Sequence, residues 1–172
     1  MPTRRLLIVA ISCLLLLSFG SANAGVQQMR TPVVTQASDA DDWRGFFDMR
    51  LGRVVADEDR FAVSLVTYDS WNMRQLHDCG PIYVDLPDTN RSIKVVPVGL
   101  RVRAVLFSET REVARTPVQH PRPRHLRISF PTARMGPADG LSKWQAIATT
   151  NLRKCGHART WDQLPDMGYV TP

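Results

Sequence analysis

Two short segments carry the residues best suited to chemistry, His77-Asp78-Cys79-Gly80 and Cys155-Gly156-His157. One reads His-x-Cys and the other Cys-x-His. Two cysteines and two histidines suffice as a ligand set for zinc, and the soft sulfurs would also suit Cu(I). His77, Cys79, Cys155 and His157 are therefore a candidate metal site, although their spacing follows no zinc-finger pattern. The competing chemistry is simpler. Cys13 lies inside an N-terminal apolar run, so Cys79 and Cys155 are the only cysteines outside it. In an oxidising compartment such a pair joins, and a Cys79–Cys155 disulfide is the expected state. A redox-active centre is not expected, because reactive pairs usually sit two residues apart.

The compartment follows from the N-terminus. Arg4 and Arg5 precede the apolar run Leu6 to Phe19, and Ala22-Asn23-Ala24 has the small-x-small form of a cleavage site. Residues 1–24 read as a secretory signal peptide. The run is shorter than the roughly 20 apolar residues of a spanning helix. No second such run follows, so a secreted or periplasmic protein without a membrane span is expected. Removing 24 of 172 residues leaves 148, enough for one domain with a real core.

A second candidate is a basic surface. The precursor carries a net charge of +6, and loss of Arg4 and Arg5 lowers it to +4. Only Lys94, Lys143 and Lys154 are lysines; every other basic residue is arginine, the better partner for carboxylates and phosphates. If 100–107 and 126–130 are strands, Arg101 and Arg103 project from one and His125 and Arg127 from another. Arg122 and Arg124 extend the patch through Pro117-Val118-Gln119-His120-Pro121-Arg122-Pro123-Arg124-His125, whose prolines remove backbone donors and fix φ. The expected partner is another envelope protein or an anionic polymer. Nucleic acid is not expected, since it calls for more charge and interleaved aromatic rings.

Other chemistries leave little trace. Asp57-Glu58-Asp59 lacks the spacing and glycine of a calcium loop and reads as a turn. There is no Gly-x-Ser-x-Gly, no His-Glu-x-x-His and no phosphate-binding glycine loop. No cofactor is expected. The function these residues favour is a non-enzymatic binding module, an inhibitor, adaptor or assembly factor closed by one disulfide. The alternatives are a small secreted hydrolase whose site assembles only in space, and a Cys/His metal-binding protein.

The elements that must position these residues are mostly strands. Phe61, Val63 and Leu65 alternate with Ala62, Ser64 and Val66, the period of a half-buried strand. Ile82 to Leu86, Ile93 to Val98, Leu100 to Phe107, Glu112 to Val118 and Leu126 to Phe130 follow. In the fourth of these runs Leu100, Val102, Ala104 and Leu106 are expected to share a face. Asp57-Glu58-Asp59 predicts a hairpin turn, and Pro87-Asp88-Thr89-Asn90 a second turn. Residues 43–50 suggest a short helix or turn leading into a strand, with Gly45 and Gly52 opposing a longer helix. Ser70-Trp71 opens a short, helical connection to Cys79.

Ser142 and Gln145 have capping-box spacing, and Leu141, Trp144, Ala148, Leu152 and Cys155 recur at helical intervals. The spacing predicts a helix over 142–155, with a strand through Thr149-Thr150 as its rival. The expected fold is α+β, an antiparallel sheet of five or six strands with this C-terminal-half helix on one face; a small β-sandwich is the alternative. Residues 25–40 read as a flexible leader, 41–160 as one globular domain, and 161–172 as a tail from which Trp161, Leu164 and Tyr169 could pack back.

Overall fold

The computed structural model describes residues 31–42, 46–136, 143–149, 155 and 161–171. Eleven strands among them form two antiparallel sheets. They are β1 (Val33–Ser38), β2 (Met49–Ala56), β3 (Arg60–Thr67), β4 (Ile82–Leu86), β5 (Arg91–Val98) and β6 (Arg101–Ser108). After these come β7 (Arg111–Pro117), β8 (Gln119–Arg122), β9 (His125–Pro131), β10 (Gln145–Thr149) and β11 (Trp161–Leu164). Two short helices accompany them, α1 (Met73–Cys79) and α2 (Thr132–Met135). The five-stranded sheet has the order β1-β2-β3-β9-β8, and the six-stranded sheet β11-β10-β4-β5-β6-β7.

Alternation builds the core. Phe61, Val63 and Leu65 on β3 are buried, as are Leu126, Ile128 and Phe130 on β9. Ile82, Val84 and Leu86 on β4 meet Ile93 and Val95 on β5 in the same hydrophobic cluster. One cluster thus draws on one face of each sheet, leaving the other face of each outward. Two layers around a shared core fit the sandwich alternative better than one sheet covered by a helix.

Trp144 joins the layers. Its ring is fully buried, and its Nε1–H donates to Thr35 Oγ1 on β1 at 2.7 Å. Gly52 on β2 makes the room, because a Cβ there would lie 2.5 Å from the indole and 2.7 Å from Leu164. The approach of β2 to this ring is possible only without a side chain.

The helix expected over 142–155 is replaced over Gln145–Thr149 by β10, while Cys155 at its far end is helical. Ala146 and Ala148 pair with Val84 and Ile82 on β4, and both are buried. Trp144 makes an isolated bridge to Val170. The reason is an ambiguity of period: Trp144 and Ala148 are four apart, which puts them on one face of a helix and equally on one face of a strand. Ser142 and Leu152 lie outside the described residues, as do residues 1–24 of the expected signal peptide.

Other boundaries shift as well. Val33–Ser38, expected within a flexible leader, is edge strand β1, because its backbone pairs with β2 along its length. In the stretch read as a tail, Trp161–Leu164 forms β11 against β10, with Leu164 fully buried and Trp161 half exposed. Leu100 does not share the face of Val102; it occupies the β5–β6 turn after Gly99 and is 90% exposed. The Asp57 turn forms as read, its Oδ1 accepting from the N–H groups of Asp59 and Arg60 at 3.0 and 2.7 Å.

Candidate functional site

α1 delivers Cys79 to its partner. Asn72 caps the helix by accepting from Gln75 N, while Gln75 Oε1 accepts from Asn72 N. Leu76 and Cys79 face inward, and Cys79 is bonded to Cys155 with Cα atoms 5.5 Å apart. The bond corrects the metal reading. A sulfur in a disulfide is no thiolate, so the quartet loses both soft ligands. His77 is exposed beside Asp78, with Nδ1 and Oδ1 3.1 Å apart, and His157 lies outside the described residues.

The expected basic residues do not form one face. Arg101 and Arg103 lie on β6 of the six-stranded sheet. Arg122, His125 and Arg127 lie on β8 and β9 of the five-stranded sheet, and Arg124 occupies the turn between those strands. The Pro117–His125 stretch, read as an exposed and extended connection, contains β8, an edge strand exposed along its length. An irregularity at His120-Pro121 interrupts its pairing with β9, which accommodates a residue that has no N–H to donate. There His120 packs on Trp71, ring centroids 4.2 Å apart.

A denser cationic site appears on the outer face of the five-stranded sheet. Register alone assembles it. Arg53 on β2 pairs with Ser64 on β3, and Ser64 pairs with Arg127 on β9. One step along, Val55, Ala62 and Ser129 form the next outward row. Arg60 closes the far end, and its Nε–H donates to Ser129 Oγ at 2.8 Å. Side chains as small as Ala62, Ser64 and Ser129 leave a depression of about 310 Å³, rimmed by Arg53, Arg60, Arg127 and Asp57. No carboxylate among the described residues forms an ion pair with any of the three arginines. Guanidinium groups crowded on one face repel one another, an energy that a bound anion reverses.

A second depression, about 470 Å³, continues along the face and is lined by Ser38, Asp39, Arg50, Leu51, Val66, Tyr68 and His125. Arg50 reaches it through a register irregularity between Met49 and Leu51. That extra residue lets Met49 face the core while Arg50 and Leu51 both face out. Arg50 and Arg53 escape sequence reading because their strand, β2, overlaps a stretch with helical spacing, and Arg60 because it opens β3 just after the turn. The signal that could find them is the Asp57 turn, which fixes the β2–β3 register.

At one end of this face the charge reverses. Asp42, Asp48 and Asp162 bring carboxylate oxygens within 4.8 Å of one another, and Asp39, Asp42 and Asp166 do the same. Asp48 and Asp162 are buried. Burial pushes the Asp162 carboxyl up to about 6, and the charges of Asp42 and Asp166 add to the push. The N–H groups of Met49 and Gln163 pull the other way, that of Met49 donating to Oδ2 at 2.9 Å. Asp39 is also pushed up to about 6, by burial first and then by Asp166. An oxygen-only set of this kind is the donor chemistry of a hard cation, or a store of protons near neutrality.

The chain matches no protein-family model, no curated protein and no solved structure. Among the described residues no helix is long and apolar enough to cross a membrane.

Proposed function

We propose that the protein is an exported, non-enzymatic binding module that holds an anionic polymer against the outer face of its five-stranded sheet. The observation that carries this reading is the Arg53–Ser64–Arg127 row, whose guanidinium groups have no acidic partner among the described residues. Arg50 and Arg122 continue the positive surface along the same sheet. The Cys79–Cys155 bond is consistent with an oxidising location. The face also suits capture by many weak contacts, since charge neutralisation along a polyanion releases counterions and makes affinity fall steeply with salt.

Purified, oxidised protein applied to immobilised heparin, polygalacturonate, polyphosphate and neutral dextran tests the reading. Retention on at least one anionic polymer at about 0.15 M salt is expected, with none on dextran. Charge reversal at Arg122 and Arg124 should weaken retention and leave the melting temperature nearly unchanged. If no anionic polymer is retained, the reading fails.

One observation favours a second reading, the small hydrolase. Asp39 and His125 line the same depression, beside Ser38 and Tyr68. No hydrogen bond joins Ser38 or Asp39 to His125, although such bonds are often long before substrate arrives. Turnover of ester probes that disappears in His125→Ala would establish it.

A further inference from the structure

We infer that the depression over Ala62 is a seat for one phosphate monoester, carried at an end or branch of a saccharide or polyol chain. The inference rests on the reading above and names the group that the face would recognise. Three features lead to it.

The first is charge balance. Arg53, Arg60 and Arg127 rim one depression, and Asp57, the only carboxylate among the described residues that line it, has an oxygen occupied by the N–H groups of Asp59 and Arg60. A carboxylate ligand, or a phosphodiester, would bring a single negative charge. A phosphate monoester brings about −1.5 to −2 and three acceptor oxygens. The guanidinium fork is the side chain that matches those oxygens two at a time.

The second is the floor. Arg53 and Arg127 stand on strands separated by one strand, about 10 Å apart at the backbone. Ser64 lies between them in register, with Ala62 as the next outward residue on β3. Small side chains here let an oxyanion sink between the arginines. The Ser64 hydroxyl can donate to it, and the Arg60 Nε bond to Ser129 holds the third guanidinium over the same floor.

The third is size and lining. A volume of about 310 Å³ exceeds what one oxyanion fills, so the group arrives attached to something larger. Among the described residues no aromatic side chain lines the depression, so they offer no stacking platform of the kind a nucleotide base would use. A sugar or polyol phosphate needs no such platform.

Isothermal titration of the purified, oxidised protein at constant ionic strength, with glycerol 1-phosphate, inorganic phosphate and acetate, tests the inference. Glycerol 1-phosphate should bind about tenfold or more tightly than acetate, the weight of one charge-assisted hydrogen bond. Arg53→Gln and Arg127→Gln should each lose about tenfold. Ser64→Leu should abolish binding by filling the floor while every charge stays in place. Arg101→Gln with Arg103→Gln, on the other sheet, should change affinity less than about twofold. Unchanged melting temperatures and circular dichroism show that a variant remains folded, and a variant that unfolds is replaced by Arg53→Lys, which keeps charge and loses the fork. Binding of inorganic phosphate without the ester overturns the attached-group assignment. Equal binding of acetate, or equal losses on both sheets, overturns the site. Either result with heparin or polyphosphate still retained leaves the broader reading standing; loss of all polymer retention removes both.

Discussion

The two outward sheet faces use similar residues in opposite ways. On the six-stranded sheet several of the charges are occupied, although Arg101 and Arg103 on β6 form no ion pair among the described residues. Arg115 pairs with Glu112 at 2.9 Å, Lys94 stands over the Tyr83 ring, and Lys143 reaches both Asp88 and the Tyr169 ring. Gln163 donates to Gln145 Oε1 at 2.9 Å, and Gln145 and Tyr169 both reach the Asp85 carboxylate. On the five-stranded sheet Arg53 and Arg127 have no acidic partner among the described residues, and the residue between them is a serine. The lesson is that a count of basic residues does not locate a binding surface. What matters is whether the neighbouring position in register holds a counter-charge.

The comparison presumes one core beneath both faces, and the strongest perturbation tests that. Trp144→Ala should cost about 3–5 kcal/mol, because it removes a fully buried ring. It also strips the hydrogen bond from buried Thr35. Chemical denaturation measures the loss. A cost below about 1 kcal/mol would mean that the layers do not depend on this contact.

The disulfide comes next. It closes a separation of 76 residues, and the chain-entropy model gives at most about 4.5 kcal/mol for such a loop. Cys79→Ser with Cys155→Ser should lower the melting temperature markedly. Both cysteines flank the six-stranded sheet, so polymer retention by the five-stranded face should survive in the folded double variant. Parallel loss of retention would show that the two faces are not independent.

A smaller effect belongs to the acidic corner. Asp162 has a folded-state value of about 6, above the ordinary carboxyl value of 3.8. The folded protein therefore holds the proton more tightly, and this contribution to stability is present below about pH 4. It is lost as pH rises through about 6. Asp162→Asn keeps an oxygen for the Met49 N–H and removes the charge. Melting temperatures from pH 4 to pH 7 should fall less in this variant than in the wild type. Superimposed profiles would indicate that Asp162 does not titrate in this window.

The smallest effects separate the faces directly. Arg115→Gln on the six-stranded sheet removes an exposed pair and should cost less than about 1 kcal/mol. Arg53→Gln relieves like-charge repulsion and should be neutral or slightly stabilising. A stability loss at Arg53 larger than that at Arg115 would mark Arg53 as structural and invert the comparison.

Much of the framework is legible in the sequence. β3, β4 and β9 announce themselves by strict alternation, and the Asp57 turn by its carboxylate. Compartment and cysteine number lead to the Cys79–Cys155 bond. β10 is misread because residues four apart satisfy both periods, and a capping-box pattern tips the choice toward a helix. β1 and β11 are hidden because short edge strands carry half of an alternating pattern or less. The site is legible only in part. His125 and Arg127 are found from a local strand and Arg122 from the proline-rich connection, but their neighbours Arg53 and Arg60 arrive through pairings between β2, β3 and β9. A pairing across more than 60 residues of chain has no local signature. The expectation that Arg101 and Arg103 share that face fails for the same reason, since sheet membership is decided by strand order.

The four outermost strands also differ in how they meet other molecules. An open strand edge can template pairing with a second chain, which leads to aggregation. β8 carries Pro121 and an irregular register, β7 carries Arg111, Glu112 and Arg115, and β11 is four residues long. Each of these discourages strand addition. β1, Val-Val-Thr-Gln-Ala-Ser, has neither charge nor proline and pairs with β2 in unbroken register. Self-association under stress should therefore begin at β1, and a lysine in place of the exposed Val34 is the change that would suppress it.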